Sequence, residues 1–229
     1  MEKTAKELNA LGEEYSDKDE NEKAFECFLK SAKMGDADGQ FNLACCYDFG
    51  LGVKSDEKEA FKWYKKSAEL GNVDAQINLG ACYALGKGVE ENPVKAVFWY
   101  KKSADQGDVT AQINLAMCYQ SGYGVEKDDK QSFIWFLRAG EQGDSDAQYN
   151  VALCYNLGTG VEKNEAEAFK WYKLSAEQGD MFAQYSLGLC YEYAKGTEKD
   201  MIEAVKWYRR SAECGYEKAI EALDALGLK

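Results

Sequence analysis

Eight cysteines and not one histidine bound the chemistry this chain could perform. Without imidazole there is no Ser-His-Asp triad, no histidine general base and no histidine metal ligand, so most hydrolytic mechanisms lose their usual proton acceptor. Thiols are the remaining soft ligands and nucleophiles. Five of them, Cys46, Cys82, Cys118, Cys154 and Cys190, stand 36 residues apart. That spacing spreads them along the chain, whereas a metal centre needs converging ligands such as paired Cys-x-x-Cys motifs. No metal site and no cofactor is expected. Disulfides are not expected either. Equivalent positions on neighbouring packed helices lie about 8–10 Å apart, beyond the roughly 7 Å between Cα atoms that a bridge can span. Cys45 beside Cys46, with Cys27 and Cys214 isolated, offers no pairing scheme. The regular thiols read as small buried hydrophobes and all eight as reduced, which fits a cytosol. One Ser-x-x-Lys spacing, Ser55 to Lys58, has the form of a lysine-activated serine. It lacks Ser-Asp-Asn and Lys-Thr-Gly companions and does not recur, so it reads as coincidence and the chain as no enzyme.

The elements that must position any site follow from the same 36-residue step. It recurs at Trp63, Trp99, Trp135, Trp171 and Trp207, and at Gln40, Gln76, Gln112, Gln148 and Gln184. Between Asn72 and Gly107 an apolar-periodic stretch, Val73 to Leu85, is followed by Gly86-Lys87-Gly88-Val89 and a second helical stretch, Pro93 to Gln106. This is a helix-turn-helix. Asn92 before Pro93 reads as an N-cap with proline at the first helical position, and Asp56, Asp128, Asn164 and Asp200 hold the same place. Gly71, Gly107, Gly143, Gly179 and Gly215 close the second helix where a left-handed residue is wanted. The first helix sets Ala75, Leu79, Cys82 and Tyr83 on one stripe beside Gly80, and the second supplies Ala96, Trp99, Tyr100, Ser103 and Ala104. Neither helix buries its apolar face alone, so the units must stack.

Ala75-Gln76-Ile77-Asn78-Leu79-Gly80 with Tyr83, Gly86-x-Gly88-Val89, and Ala96 with Trp99-Tyr100 resemble the SEL-one-like repeat, a relative of the tetratricopeptide repeat. The expected fold is all-α: an alpha-alpha superhelix of about six helix-turn-helix repeats plus a capping helix. It is read as one solenoid domain over 1–229, with a tetratricopeptide-like N-terminal repeat (1–35), repeats at 36–71, 72–107, 108–143, 144–179 and 180–215, and a capping helix at 216–229. The first repeat lacks the Gly-x-Gly loop and is four residues shorter, and the last full one has Ala194 and Thr197 in place of glycine and valine. The resemblance implies a role as an adaptor that assembles protein complexes, with first helices lining a concave groove. A disulfide-rich branch of the family carries two cysteines per repeat and has been linked to β-lactam hydrolysis. That implies a hydrolase of β-lactam or cell-wall substrates as the alternative function, although this chain has one regular cysteine per repeat.

Rotating the first helix by about 100° per residue puts two rows opposite Leu79. One holds Phe41, Ile77, Ile113, Tyr149 and Tyr185; the other Cys45, Ala81, Met117, Leu153 and Leu189. Beside them runs Asn42, Asn78, Asn114 and Asn150, replaced by Ser186. The expected partner-binding residues are Phe41, Asn42, Ile77, Asn78, Ile113, Asn114, Met117, Tyr149, Asn150, Leu153 and Tyr185. Apolar rows supply affinity, and amides, with two donors and an acceptor each, clamp an extended backbone or bond a neighbouring repeat. The variable row Asp48, Ala84, Gln120, Asn156 and Glu192 reads as ligand selectivity.

Formal net charge is −12, a field that repels phosphate backbones and anionic lipid heads, so nucleic acid and membrane insertion are not expected and a basic protein or peptide is. Met1 to Leu11 is too charged for a secretory signal. The expected location is the cytoplasm, with an effector exported without a cleaved signal as the other reading.

Overall fold

The computed structural model describes residues 2–228 and, among them, thirteen α-helices and no strand. Helix α1 (Ala5–Ser16) pairs with α2 (Asn21–Lys33), α3 (Ala37–Phe49) with α4 (Glu57–Glu69), and α5 (Val73–Leu85) with α6 (Pro93–Ala104). Next come α7 (Val109–Ser121), α8 (Asp129–Glu141), α9 (Ser145–Leu157), α10 (Glu165–Glu177), α11 (Met181–Tyr193), α12 (Met201–Glu213) and α13 (Glu217–Ala225). The helices group into two compact units. The first runs to Ala111 and takes in Tyr123–Glu126; the second holds Gln112–Gly122 and the chain from Lys127 onward. In each, helical hairpins pack on their sequence neighbours, the arrangement of a helical-repeat solenoid.

Local chemistry fixes where each helix starts and stops. Asp56, Asn92, Asp128, Asn164 and Asp200 each accept a backbone N–H of the following turn. The N–H of each cap donates to a tyrosine carbonyl of the preceding helix, as in Asn92 to Tyr83 at 2.8 Å, which ties the loop down. First helices have a second set of caps, Asp36, Asn72, Asp108, Asp144 and Asp180, beside those expected. The first repeat replaces the Gly-x-Gly loop by a short turn through Asp19, at φ 58°.

The core alternates small and large side chains. Ala75, Leu79 and Ala96 are fully buried, and Cys82, Tyr83 and Tyr100 nearly so. A Cβ on Gly80 would lie 2.7 Å from the Tyr100 ring, so only glycine lets the two helices approach this closely. Consecutive repeats are joined by edge-to-face rings: Phe25 on Tyr47 and Phe61 on Tyr83 in the first unit, Phe133 on Tyr155 and Phe169 on Tyr191 in the second. Such pairs stabilise beyond their area by about 0.5–1.5 kcal/mol. Trp63, Trp135 and Trp207 are buried, each with a cation over its ring from the residue three positions on, Lys66, Arg138 or Arg210. Trp99 and Trp171 are only half-buried.

The recurring polar residues are packing devices. Ser31, Ser67 and Ser103 donate to the first carbonyls of α1, α3 and α5, and Ser175 and Ser211 do the same for α9 and α11, at 2.7–3.3 Å. The Gln40, Gln76, Gln148 and Gln184 amides donate to carbonyls near the end of the preceding helix at 3.1–3.3 Å. Their Oε1 atoms then need donors. Gln106 supplies one to Gln76, Gln142 to Gln112 and Gln178 to Gln148, at 2.8–2.9 Å. Leu70 and Cys214 occupy the equivalent positions beside Gln40 and Gln184, and the Oε1 atoms of those two glutamines are buried without a partner. Leu70→Gln and Cys214→Gln are each expected to stabilise the protein by about 1 kcal/mol, since a buried orphan acceptor gains its hydrogen bond. Urea denaturation compares them; unchanged midpoints would show that water already satisfies those oxygens.

Candidate functional site

The chemistry of the thiols is settled by where the helices put them. Cys46, Cys82, Cys118, Cys154 and Cys190 are buried and all eight cysteines are free. Burial pushes Cys46 and Cys82 up to about 12, and Cys118, Cys154 and Cys190 up to about 11. A thiol of about 11 is roughly one part in a thousand thiolate at pH 8, and the thiolate is the nucleophile. Alkylation of native protein at pH 8 is expected to mark exposed Cys214 first, with these five at least ~100-fold slower until denaturant is added. Peptide mapping reads this directly, and rapid labelling of Cys82 would contradict its burial. Among the described residues no histidine, cysteine, aspartate or glutamate group is arranged to hold a metal ion. Ser55 and Lys58 are exposed at the start of α4, where the Lys58 N–H bonds the Asp56 cap.

The expected binding rows are best described unit by unit. In the first, Phe41, Asn42, Ile77 and Asn78 are half-buried. Phe41 leans on the Tyr64 ring at 6.0 Å. Asn42 Nδ2 donates to Asn9 Oδ1 at 2.9 Å and to Glu13 Oε1 at 3.3 Å. Of the expected binding residues only Asn42 lines the neighbouring cavity of about 170 Å³, with Glu13, Phe28 and Cys45 among its other walls. In the second unit Ile113, Asn114, Tyr149, Asn150, Leu153 and Tyr185 are half-buried, while Met117 is 54% exposed. Tyr149 packs on Tyr172 and Phe182, and Tyr185 on Tyr208 and Tyr216, with ring centroids 5.3–6.0 Å apart. Part of each apolar row is therefore spent on packing.

The asparagine row is not a uniform clamp. Asn150 Nδ2 bonds its own helix at the Asp146 carbonyl, and Ser186 does the same at Phe182, both at 2.8 Å. Asn42 bonds side chains of the neighbouring repeat. Among the described residues Asn78 and Asn114 make no side-chain hydrogen bond, so their half-buried amides keep their full capacity.

A further row was not among the expected ones. At the last position of the first helices, Phe49 and Leu85 in the first unit are each 70% exposed, and Leu157 and Tyr193 in the second are 68% and 59% exposed. Large apolar residues immediately before a helix-ending glycine or alanine, at four of five positions on the 36-residue step with Ser121 as the exception, were the available signal. Beside this row the electrostatics are acidic. Burial, then Tyr216, Glu192 and Glu221, raise the Tyr185 hydroxyl above its ordinary value. Tyr208, raised chiefly by burial, donates to Glu192 Oε2 at 2.5 Å. Among the described residues no helix is long and apolar enough to cross a membrane.

Comparison with known proteins fits this geometry. A family model described as the Sel1 repeat matches residues 7–36, 37–72, 73–108, 109–144, 145–180 and 182–216, so it also covers the segment read as tetratricopeptide-like. The crystal structure of a protective antigen present in uropathogenic Escherichia coli strains, displaying an SLR fold, superposes with a TM-score of 0.92 at 33% identity over 94% of this chain. The chain spans 47% of that antigen's length. A Sel1 repeat protein from Oxalobacter formigenes superposes with a TM-score of 0.88 at 34% identity, covering 93% of this chain and 88% of that one. No curated protein matches the chain.

Proposed function

Because the chain belongs to the Sel1 repeat family, whose members are typically protein-interaction scaffolds, we propose that it binds a protein or extended peptide along its first helices. The observation that carries this is the exposed row Phe49, Leu85, Leu157 and Tyr193, which adds nothing to the core and yet returns at one register of the repeat. Water-facing apolar side chains cost solubility, and each unit offers some for a partner to desolvate: Phe49 and Leu85 with half-buried Ile77 in the first, Leu157 and Tyr193 with half-buried Ile113 and exposed Met117 in the second. Asn78 and Asn114, with unspent amides, orient the partner's backbone. The net charge of −12 favours a basic one. Eight free thiols, most of them buried, suit a reducing compartment, and we place the scaffold in the cytoplasm.

The test uses lysines at exposed positions, which leave the core alone. Phe49→Lys with Leu85→Lys, and separately Leu157→Lys with Tyr193→Lys, are expected to deplete captured partners at least tenfold, while circular dichroism and melting temperature stay at wild-type values. Tenfold corresponds to about 1.4 kcal/mol, modest for a buried interface anchor. Retention of the same partners by both folded variants would sink the proposal.

A further inference from the structure

The glutamines of the first helices share one orientation. Gln148 Nε2 donates to the Gly140 carbonyl at 3.1 Å and Gln184 Nε2 to the Ala176 carbonyl at 3.3 Å, which turns each Oε1 toward the end of the second helix that follows. At that helix end a second glutamine serves the oxygen: Gln106 serves Gln76 at 2.8 Å, Gln142 serves Gln112 at 2.9 Å and Gln178 serves Gln148 at 2.8 Å, each pair 30 residues apart. Beside Gln184 the same place belongs to Cys214. Gln184 is 5% exposed and its Oε1 has no partner, while Cys214 is the exposed one of the eight cysteines.

Two independent features thus meet at the end of α12. A thiol reaches solvent there, and a buried oxygen aimed at the same point lacks a donor. Cysteine is shorter than glutamine and its S–H is a weak donor, so it leaves the oxygen unserved. Gln40 has an orphan Oε1 as well, but Leu70 beside it offers no atom to modify.

We propose that Cys214 is a covalent modification site that takes up a low-mass thiol carrying an amide N–H, held as a mixed disulfide, with that amide donating to Gln184 Oε1. The co-reactant is the symmetric disulfide of the same thiol. The Cys214 thiolate attacks one of its sulfurs, the new S–S bond forms as the old one breaks, and the other half leaves as a thiolate that takes up the proton Cys214 gave up. Cys214 is oxidised to the disulfide level and the departing half is reduced to thiol. In a reducing compartment the adduct is reversible, and its occupancy follows the ratio of disulfide to thiol. The Cys214 N–H donates to the Arg210 carbonyl at 3.3 Å, which fixes the backbone from which the adduct extends. The adduct is longer than a glutamine side chain, and because Cys214 is exposed the extra length lies over the surface and not in the core.

The probe is N-acetylcysteine N-methylamide with its disulfide, equilibrated with the full chain at fixed ratios. Methyl thioglycolate with its disulfide, neutral but without an N–H donor, runs alongside. Peptide mapping after acid quench gives the fraction of Cys214 in each adduct, and division by the value for the urea-denatured chain removes the intrinsic chemistry of each thiol. The folded chain is expected to prefer the amide thiol at Cys214 by about fivefold or more, as one added hydrogen bond requires. In Gln184→Met, folded by circular dichroism, the preference should vanish. Leu70→Cys, which leaves Gln184 untouched, should create the same preference beside Gln40 and keeps the test decisive if Gln184→Met does not fold. Equal values for the two thiols in the wild-type chain, a preference that survives Gln184→Met, or none in Leu70→Cys would each overturn the proposal.

Discussion

Gly88→Ala is expected to lower stability by about 4 kcal/mol, at the upper end of single substitutions, and to melt the protein well below the wild-type temperature. Two penalties combine. Gly88 sits at φ 68°, where an L side chain costs about 1–2 kcal/mol. Its added Cβ would also lie 2.1 Å from the Glu57 carbonyl oxygen and 2.6 Å from the carbon, which is backbone and cannot swing aside. The loop would have to lift off α4, loosening the Asn92 cap bond to Tyr83. Gly86→Ala is the matched control. Its φ of 70° is equally left-handed, but its Cβ meets nothing closer than 3.6 Å, so the conformational cost of about 1 kcal/mol stands alone. The last full repeat displays this difference, having alanine at the first loop position, Ala194 at φ 56°, while keeping Gly196 against the Glu165 carbonyl. Urea denaturation of both variants measures the gap; equal losses would show that backbone contact contributes nothing.

Leu79→Ala should cost about 3 kcal/mol and Leu85→Ala less than about 0.5 kcal/mol, although both are leucines on α5 six residues apart. Leu79 is 0% exposed, so truncation leaves a cavity lined by atoms that cannot close over it. Leu85 is 70% exposed and loses little on truncation. The pair divides the helix into a side that holds the fold and a side that is free to bind. Leu85→Ala is therefore expected to weaken partner capture at wild-type stability. A Leu85→Ala protein as unstable as Leu79→Ala would mean that this row packs in solution.

Much of the fold is legible in the residues. The stretch Val73 to Leu85 is α5 at both ends, because a cap, an apolar period and a glycine terminator act within one turn of the chain. The second stretch, expected to reach Gln106, ends as α6 at Ala104; Asp105 and Gln106 continue as turn, the last-turn ambiguity common to helix ends. The glutamine series is visible as a repeat, but its hydrogen-bond chain is not. The bond between Gln76 and Gln106 joins residues 30 apart, and their side chains meet only after α5 and α6 pack.

The thiols mark where the boundary between sequence and tertiary structure lies. The 36-residue step alone dispersed five cysteines along the chain, and composition excluded histidine chemistry, since neither depends on packing. Helix ends, loop glycines and the repeat class were likewise determined locally, by dihedral preference and capping. Tertiary structure decided burial: which cysteines lose their acidity, which tryptophans are covered, and which leucines face water. A rotation of 100° per residue gives the direction of a side chain but not the neighbour that covers it. Hence Tyr149, placed on a binding row by periodicity, spends part of its ring on Phe182.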